Sequence, residues 1–264
     1  MTKIFIDPGH GGTDPGAQAN GLREKDLTLS IALKLRNILN NEYEGHSLLL
    51  SRTTDKTLQL GERTTMANNW GANYLVSIHI NAGGGTGFES YIYNGSYAGK
   101  AETNRLRGLV HDAIVSETGF QNRGKKEANF HMLRESNMHS VLTENGFIDH
   151  SADASKLKSD AFLTSIARGH AKGLARALGL KQKSGSGTYY RVVTGSFVTR
   201  QNADIQVNAL KAKGFESFIE IYQQSGTTYY RVITGSYQSR ANAEQQVTRL
   251  KNAGFESFIV TYTP

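Results

Sequence analysis

The chain has 264 residues, no cysteine and a formal net charge of +7 at pH 7. This length suffices for one large domain and a small one. The lack of cysteine excludes disulfides and thiolate nucleophiles, so any metal site must use histidine and carboxylate ligands. The positive charge favours a polyanionic partner, which would be nucleic acid, an anionic membrane or a bacterial wall polymer.

The first residues are strand-like, without the basic and apolar regions of a secretory signal. Nowhere does the chain contain a run of about 18 apolar residues, the length that a membrane span needs. We therefore expect synthesis in the cytoplasm without a signal peptide, and no insertion into a membrane.

The first predicted strand ends in a histidine-containing loop. The apolar run Ile4–Ile6 is typical of a buried strand, and the glycines and proline around His10 end it abruptly. In open α/β sheets ligands bind at the carboxyl ends of strands. Glu24 follows at the entrance of a predicted helix whose apolar positions begin at Leu27. His10 and Glu24 are thus placed to converge.

The remaining elements up to residue 180 alternate between strands and helices. The patterns predict strands at 48–51, 74–80, 88–93 and 141–144, helices at 60–70, 101–118 and 160–178, and a basic loop at 123–126. Strands interleaved with helices predict an α/β domain, in which helices cover the sheet.

The segment 181–187 is rich in glycine and serine and lacks apolar residues, which is typical of a flexible linker. Residues 188–222 and 228–262 repeat the same sequence, with more than half of the aligned positions identical. Each copy reads as strand, helix and strand, and one such unit is too small to bury a core alone. We expect the two copies to share one sheet in a βαββαβ domain over 188–264. The pattern leaves open whether Tyr190 or Arg191 lies on the side that faces the helices.

Four side chains stand at strand or loop ends in the first domain: His10, Glu24, His79 and Glu144. Two histidines and a carboxylate make a three-ligand zinc site with an open position, and a second carboxylate could act as general base. Each residue also has a structural alternative, since a histidine can cap a turn and a glutamate can interact with a helix dipole or form a salt bridge. The spacings do not decide between these interpretations.

Four motifs supply a resemblance: Asp7-Pro-Gly-His10-Gly-Gly, Glu24 before a helix, Ser77-Ile-His79-Ile-Asn81-Ala and Thr143-Glu144-Asn-Gly-Phe. In this order they resemble the zinc-dependent N-acetylmuramoyl-L-alanine amidases of the amidase-3 type. The resemblance covers residues 1–180 and implies a helix-covered, roughly six-stranded mixed sheet. It further implies that His10, Glu24 and His79 hold Zn²⁺, that Glu144 is catalytic and that Asn81 contacts substrate.

The repeats resemble a SPOR domain, a βαββαβ module that binds peptidoglycan. The resemblance rests on Thr194-Gly-Ser-Phe197, Asn202-Ala-Asp204 and the Gly-Phe that follows each helix, with their counterparts in the second copy. It departs where such domains often carry glutamine, since Val193 and Ile233 stand there. It implies glycan contacts through residues at matching positions of the two repeats: Tyr189, Arg191, Tyr229 and Arg231.

The combined architecture is similar to that of sporulation-associated autolysins of bacilli and of Bacillus phage endolysins. It implies hydrolysis of the bond between N-acetylmuramic acid and L-alanine, by a monomer that reaches the wall after lysis or release by a holin. Two alternatives remain. One is a non-catalytic wall-binding protein with a degenerate amidase domain, and the other is a nucleic-acid protein, suggested by the charge and the βαββαβ sheet. The repeats lack the aromatic Gly-Phe-Gly-Phe-type strand motif on which RNA-recognition modules stack bases, so we expect no nucleic-acid partner.

Overall fold

The computed structural model describes residues 1–183, 189–224, 226–237 and 239–262. The chain divides into two compact units, of which the first ends at Lys183 and the second begins at Ser184. In the described part of the chain, no helix combines the length and apolarity of a membrane span.

The strands of the first unit are β1 (Thr2–Pro8), β2 (Gln18–Ala19), β3 (Leu22–Arg23), β4 (Tyr43–Glu44), β5 (His46–Leu50), β6 (Tyr74–Asn81), β7 (Phe88–Tyr93), β8 (Asn122–Ala128), β9 (His139–Phe147) and β10 (Lys181–Gln182). Its helices are α1 (Glu24–Glu42), α2 (Leu60–Trp70), α3 (Lys100–Thr118), α4 (His131–Arg134), α5 (Ser151–Leu157) and α6 (Asp160–Leu178).

Six of these strands form one mixed sheet in the order β5-β1-β6-β9-β7-β8. The first four run parallel, β7 is antiparallel to β9, and β8 is parallel to β7. The prediction of a helix-covered, six-stranded mixed sheet is confirmed. Because β1, β6 and β9 are parallel neighbours, their carboxyl ends meet at the same edge.

The two faces of this sheet are covered unequally. On one face, Ile4, Val76 and Val141 contribute to a large core that includes apolar residues of α1, α3 and α6. On the other face, Phe5 and Leu75 pack in a smaller cluster with residues of α2 and α4. Side chains alternate between faces along a strand, so His79 lies on the face of Leu75. We call this second face the site face.

The structure corrects several element boundaries. The predicted basic loop 123–126 lies within β8, an edge strand. Charged residues on an edge strand disfavour its pairing with strands of other chains. The strand predicted to end at residue 144 continues to Phe147. The first residues of the predicted linker 181–187 form β10, which pairs with β4, and residues 184–187 lie outside the described part.

The second unit contains β11 (Tyr189–Phe197), α7 (Arg200–Ala212), β12 (Phe218–Gln224), β13 (Thr227–Tyr237), α8 (Arg240–Asn252) and β14 (Phe258–Tyr262). Its strands form an antiparallel sheet in the order β12-β13-β11-β14, so the predicted βαββαβ arrangement is confirmed. Val192 and Val232 are buried with Ala203 and Leu210 of α7. Tyr190 packs against this core, which answers the question left open by the sequence: its side of β11 faces the helices.

Candidate functional site

The three predicted metal ligands converge. His10 lies in the loop after β1, Glu24 is the first residue of α1, and His79 lies near the end of β6. One ligand atom from each residue lies within 4.8 Å of the others. The structure therefore brings together residues that are far apart in the chain.

Glu24 is buried at the centre of this cluster and makes four polar contacts. Its Oε1 atom lies 3.0 Å from Nδ1 of His79 and 3.0 Å from the backbone nitrogen of Ile80. Its Oε2 atom lies 2.9 Å from the backbone nitrogen of Ala17 and 3.2 Å from Nε2 of His10. Burial alone would raise the pKa of Glu24, but the hydrogen bonds from His10 and His79 hold it well below its ordinary value. The carboxylate is therefore ionised at neutral pH.

The orientation of His10 depends on its neighbours. Its backbone has a φ of 61°, a left-handed conformation, and its Nδ1 atom lies 2.8 Å from Oδ2 of Asp14. Burial lowers the pKa of His10, but the hydrogen bonds and charges of Glu24 and Asp14 outweigh this and raise it to about 9. A carboxylate on the second nitrogen is a common way of orienting a metal-ligating histidine.

The loop glycines leave room for the two imidazoles. A Cβ atom at Gly9 would lie 2.3 Å from the His79 ring, and one at Gly16 would lie 2.6 Å from Oε2 of Glu24 and 2.7 Å from the His10 ring. No side chain fits in either place without displacing a ligand. The glycines were predicted only as strand terminators, whereas the structure shows that they also make space for the cluster.

This donor set fits zinc. Two imidazole nitrogens and one ionised carboxylate are the ligands of many catalytic zinc sites, which leave a fourth position open. A divalent cation between these groups would replace the proton that the Glu24–histidine pairs share. The predicted ligand set is therefore chemically suited to Zn²⁺.

Glu144 lies beside the cluster on the neighbouring strand. It is paired in register with His79 across β6 and β9, and with Glu89 across β9 and β7. Its Oε2 atom is buried and has no hydrogen-bond partner among the described residues. Burial raises the pKa of Glu144 to about 8, with His79 opposing and the charges of Glu24 and Glu89 adding to the increase. An unpaired carboxyl group with a pKa near neutrality is suited to proton transfer.

Asn81 lies two residues after His79. Its Oδ1 atom accepts a hydrogen bond of 2.8 Å from the backbone nitrogen of Ala82, and its Nδ2 atom lies 3.3 Å from Oε2 of Glu89. Asn81 therefore lies at the rim of the cluster, on the side towards β7.

Two buried arginines, which the sequence did not reveal as part of the site, hold the loop after β1. The Arg63 guanidinium lies 2.8 Å from Oδ1 of Asp7 and donates to the carbonyl oxygens of Pro8 and His10 at 2.8 and 2.7 Å. Arg52 donates to the carbonyl oxygen of Gly9 at 2.9 Å. The two arginines thus hold the loop that carries His10 through hydrogen bonds to its backbone carbonyl groups.

Asp7 completes this support. It is 1% exposed and accepts hydrogen bonds from Ser51 at 2.6 Å and Ser77 at 2.8 Å in addition to the Arg63 contact. Burial raises the pKa of Asp7, but the charge of Arg63 and these hydrogen bonds outweigh it, so the net shift is downward. The motif aspartate is therefore a structural anion beneath the site.

The second unit presents its predicted glycan contacts on the sheet face opposite its helices. The Arg191 guanidinium lies 3.2 Å from the ring centroid of Tyr262, and that of Arg231 lies 3.3 Å from the centroid of Tyr222. Together with Glu220, which forms an ion pair with Arg191, these pairs line a cleft of about 300 Å³. Tyr189 and Tyr229 pair in register with Tyr262 and Tyr222 respectively.

Comparison with known proteins agrees with this geometry. The N-acetylmuramoyl-L-alanine amidase family (Amidase_3) matches residues 4–176, which is more than half of the chain. The chain belongs to this amidase family. A SPOR domain matches residues 170–261 of the amidase. The chain is thus a cell-wall hydrolase that carries a cell-wall-binding domain.

Individual relatives extend this result. The sporulation-specific N-acetylmuramoyl-L-alanine amidase of Bacillus subtilis is 57% identical to this chain, over 83% of this chain and 84% of its own length. The endolysin of Bacillus phage SPP1 is 44% identical, over 69% of this chain and 68% of its own. The crystal structure of an N-acetylmuramoyl-L-alanine amidase from Clostridium difficile 630 is 36% identical, with a TM-score of 0.64 over 70% of this chain and 98% of that one.

Proposed function

We propose that this amidase is zinc-dependent, with His10, Glu24 and His79 as metal ligands and Glu144 as the catalytic carboxylate. The observation that carries the proposal is the convergence of the three ligands within 4.8 Å, next to a buried carboxyl group with an unpaired oxygen. A bound zinc ion would polarise the scissile carbonyl and lower the pKa of a water molecule.

Glu144 then carries the proton. It accepts a proton from the attacking water and delivers it to the nitrogen of L-alanine as the amide bond to N-acetylmuramic acid breaks. Glu24 stays ionised as a metal ligand. We propose Asn81 as a substrate contact because its side chain lies at the rim of the cluster and ends beside Glu89.

Measuring both metal content and activity distinguishes the role of Glu144 from that of the zinc ligands. Glu144→Gln should retain zinc but release no stem peptides from purified cell walls, whereas His79→Ala should lose both the metal and the activity. His46→Ala is a matched control, because His46 begins β5 beside Thr2, at the amino end of the sheet. Normal activity of Glu144→Gln, measured by release of free L-alanine amines, would contradict the proposed role.

We further propose that the stacked Arg191 and Arg231 of the SPOR domain contact glycan strands, together with Tyr189 and Tyr229. Guanidinium groups fixed on tyrosine rings offer planar donors beside an aromatic surface. Full-length Arg231→Ala should pellet less with purified walls than the wild-type protein. Arg240→Ala is the matched control, since Arg240 pairs with Glu244 on the exposed surface of α8. Equal pelleting of the two variants would exclude this surface.

For the biological role we propose action on the wall after the membrane is breached, as an autolysin of the mother cell or as an endolysin. Support comes from the two kinds of relative, a sporulation-specific amidase and a phage endolysin. The complete ligand set disfavours the alternative of a degenerate, non-catalytic amidase domain. The monomeric state stays a prediction. Expression timed against sporulation or prophage induction would distinguish the two roles.

A further inference from the structure

A row of polar side chains crosses the site face beyond the metal cluster. His79, Glu144 and Glu89 are register partners on β6, β9 and β7. Tyr91 lies two residues after Glu89 on the same face, and its register partner on the edge strand β8 is Lys126. The row therefore runs continuously from a proposed zinc ligand, past the catalytic carboxylate, to a cation at the sheet edge.

Glu89 is the centre of the outer part of this row. It is 2% exposed, and its carboxylate is bound by Arg123 Nε at 2.5 Å, Lys126 Nζ at 2.6 Å and Tyr91 Oη at 2.5 Å. One buried anion thus holds two cations, so these three groups together carry a net charge of +1. A single carboxylate cannot neutralise both.

The two cations are bound to Glu89, but their side chains remain partly exposed to solvent. The side chains of Arg123 and Lys126 are 32% and 39% exposed. Only the Nε atom of Arg123 is engaged with Glu89, and its guanidinium group lies over the ring of Phe147 at 4.9 Å. An Arg group has five N–H donors and a Lys group three, so both have donors to offer a ligand.

From this arrangement we infer that Arg123 and Lys126 form an anion subsite, which binds a carboxylate of the stem peptide in the amidase reaction. The inference rests on the proposed role of Glu144. Because Glu144 delivers its proton to the departing amine of L-alanine, the peptide leaves on the Glu144 side of the zinc ligands, where β7 and β8 follow. Glu89 anchors the two cations and is not itself open to the substrate.

The distance identifies which part of the peptide is bound. The charged groups of Arg123 and Lys126 lie at Glu89 of β7 and their backbone lies on β8, so the subsite is one to two strand spacings beyond β9, which corresponds to about 5–10 Å. An extended peptide advances about 3.5 Å per residue. The subsite therefore receives a carboxylate on the second or third residue of the stem peptide.

Matched substrates test this inference in the full-length, zinc-loaded enzyme. Two pairs of synthetic muramoyl peptides would differ only in a carboxylate or a carboxamide, on the second residue in one pair and on the third in the other. For at least one pair the wild-type enzyme should cleave the carboxylate form with about tenfold higher kcat/KM, the effect of one charge-assisted hydrogen bond. Arg123→Gln and Lys126→Gln should each reduce this ratio towards one.

The control is Lys125→Gln, which removes the same charge from the same strand. Lys125 pairs with Asp112 of α3 and so lies on the opposite face of the sheet, and its substitution should leave the ratio unchanged. Because the measure is a ratio, a general loss of activity in a variant does not mimic the result. A wild-type ratio of one for both pairs, or a ratio unaffected by both Gln substitutions, would overturn the subsite. Zinc-dependent cleavage of the carboxamide peptides tests the proposed mechanism independently.

Discussion

Replacing Arg63 by Met should destabilise the first unit strongly, because it leaves the buried charge of Asp7 without its partner. Arg63 and Asp7 have side chains 3% and 1% exposed and lie 2.8 Å apart. Removing one partner of a buried ion pair costs about 3–5 kcal/mol. Ser51 and Ser77 still donate to Asp7, so we expect the lower part of this range, about 3–4 kcal/mol.

Differential scanning calorimetry would measure this effect. For a unit of this size, 1 kcal/mol shifts the transition by about 2–4 °C, so Arg63→Met should lower the melting temperature of the first unit by about 6–16 °C. Zinc affinity should fall as well, since Pro8 and His10 lose the donor to their carbonyl oxygens. Arg105→Met is the control, because Arg105 pairs with Glu102 on the exposed surface of α3, and its transition should not move.

A double-mutant cycle with Asp7→Asn isolates the charge pair. The double variant contains neither the Asp7 nor the Arg63 charge, so its loss of stability should be smaller than the sum of the single losses by about 2 kcal/mol or more. Additive losses, or a shift below about 2 °C for Arg63→Met, would refute the conclusion that Asp7 needs a counter-charge beneath the site.

Three further predictions follow from the site. Asp14→Asn removes the carboxylate from Nδ1 of His10 and should weaken zinc binding about 10–100-fold, measured by competition with a chelator, while Asp112→Asn leaves it unchanged. Gly9→Ala places a Cβ atom 2.3 Å from the His79 ring, so metal content and activity should fall together although the fold, monitored by circular dichroism, persists; a fully active, zinc-loaded variant would contradict this geometry. The folded-state pKa of Asp7 lies below its ordinary value, so its stabilising contribution is present above the unfolded-state pKa of about 3.9 and is lost as the pH falls below it. The unfolding free energy of Asp7→Asn should therefore fall less than that of the wild-type protein below about pH 4. Parallel curves of unfolding free energy against pH would argue against the shift.

The sequence predicted the elements of the sheet best where local pattern is strong. Ile4–Ile6 of β1 are consecutive apolar residues, and Tyr74–Ile80 of β6 are apolar apart from Ser77 and His79. The strand β8 was missed because its residues are mostly charged. An edge strand has only one neighbour and keeps much of its surface in water, so it carries no apolar signature.

The support of the site could not be predicted for a different reason. Asp7 meets Ser51, Arg63 and Ser77 across separations of 44 to 70 residues, and no local pattern encodes such contacts. Arg63 lies on the α2 face that also carries the buried Ala67, where helical periodicity alone would place an apolar side chain. Asp14 differs from these residues, because it follows His10 by only four residues and their contact is local.

The mixed topology of the sheet explains why the site has two electrostatic halves. The parallel strands β1, β6 and β9 bring the His10 loop, His79 and Glu144 to one edge, and the proposed metal ligands there form an arrangement suited to a cation. The antiparallel strand β7 reverses direction, so Glu89 becomes the partner of Glu144 and the charged edge strand β8 places Arg123 and Lys126 beside it. A substrate bound along this row would therefore meet the proposed zinc site at one end and the proposed anion subsite at the other. A carboxylate held at that subsite would orient the peptide before the amide bond is attacked.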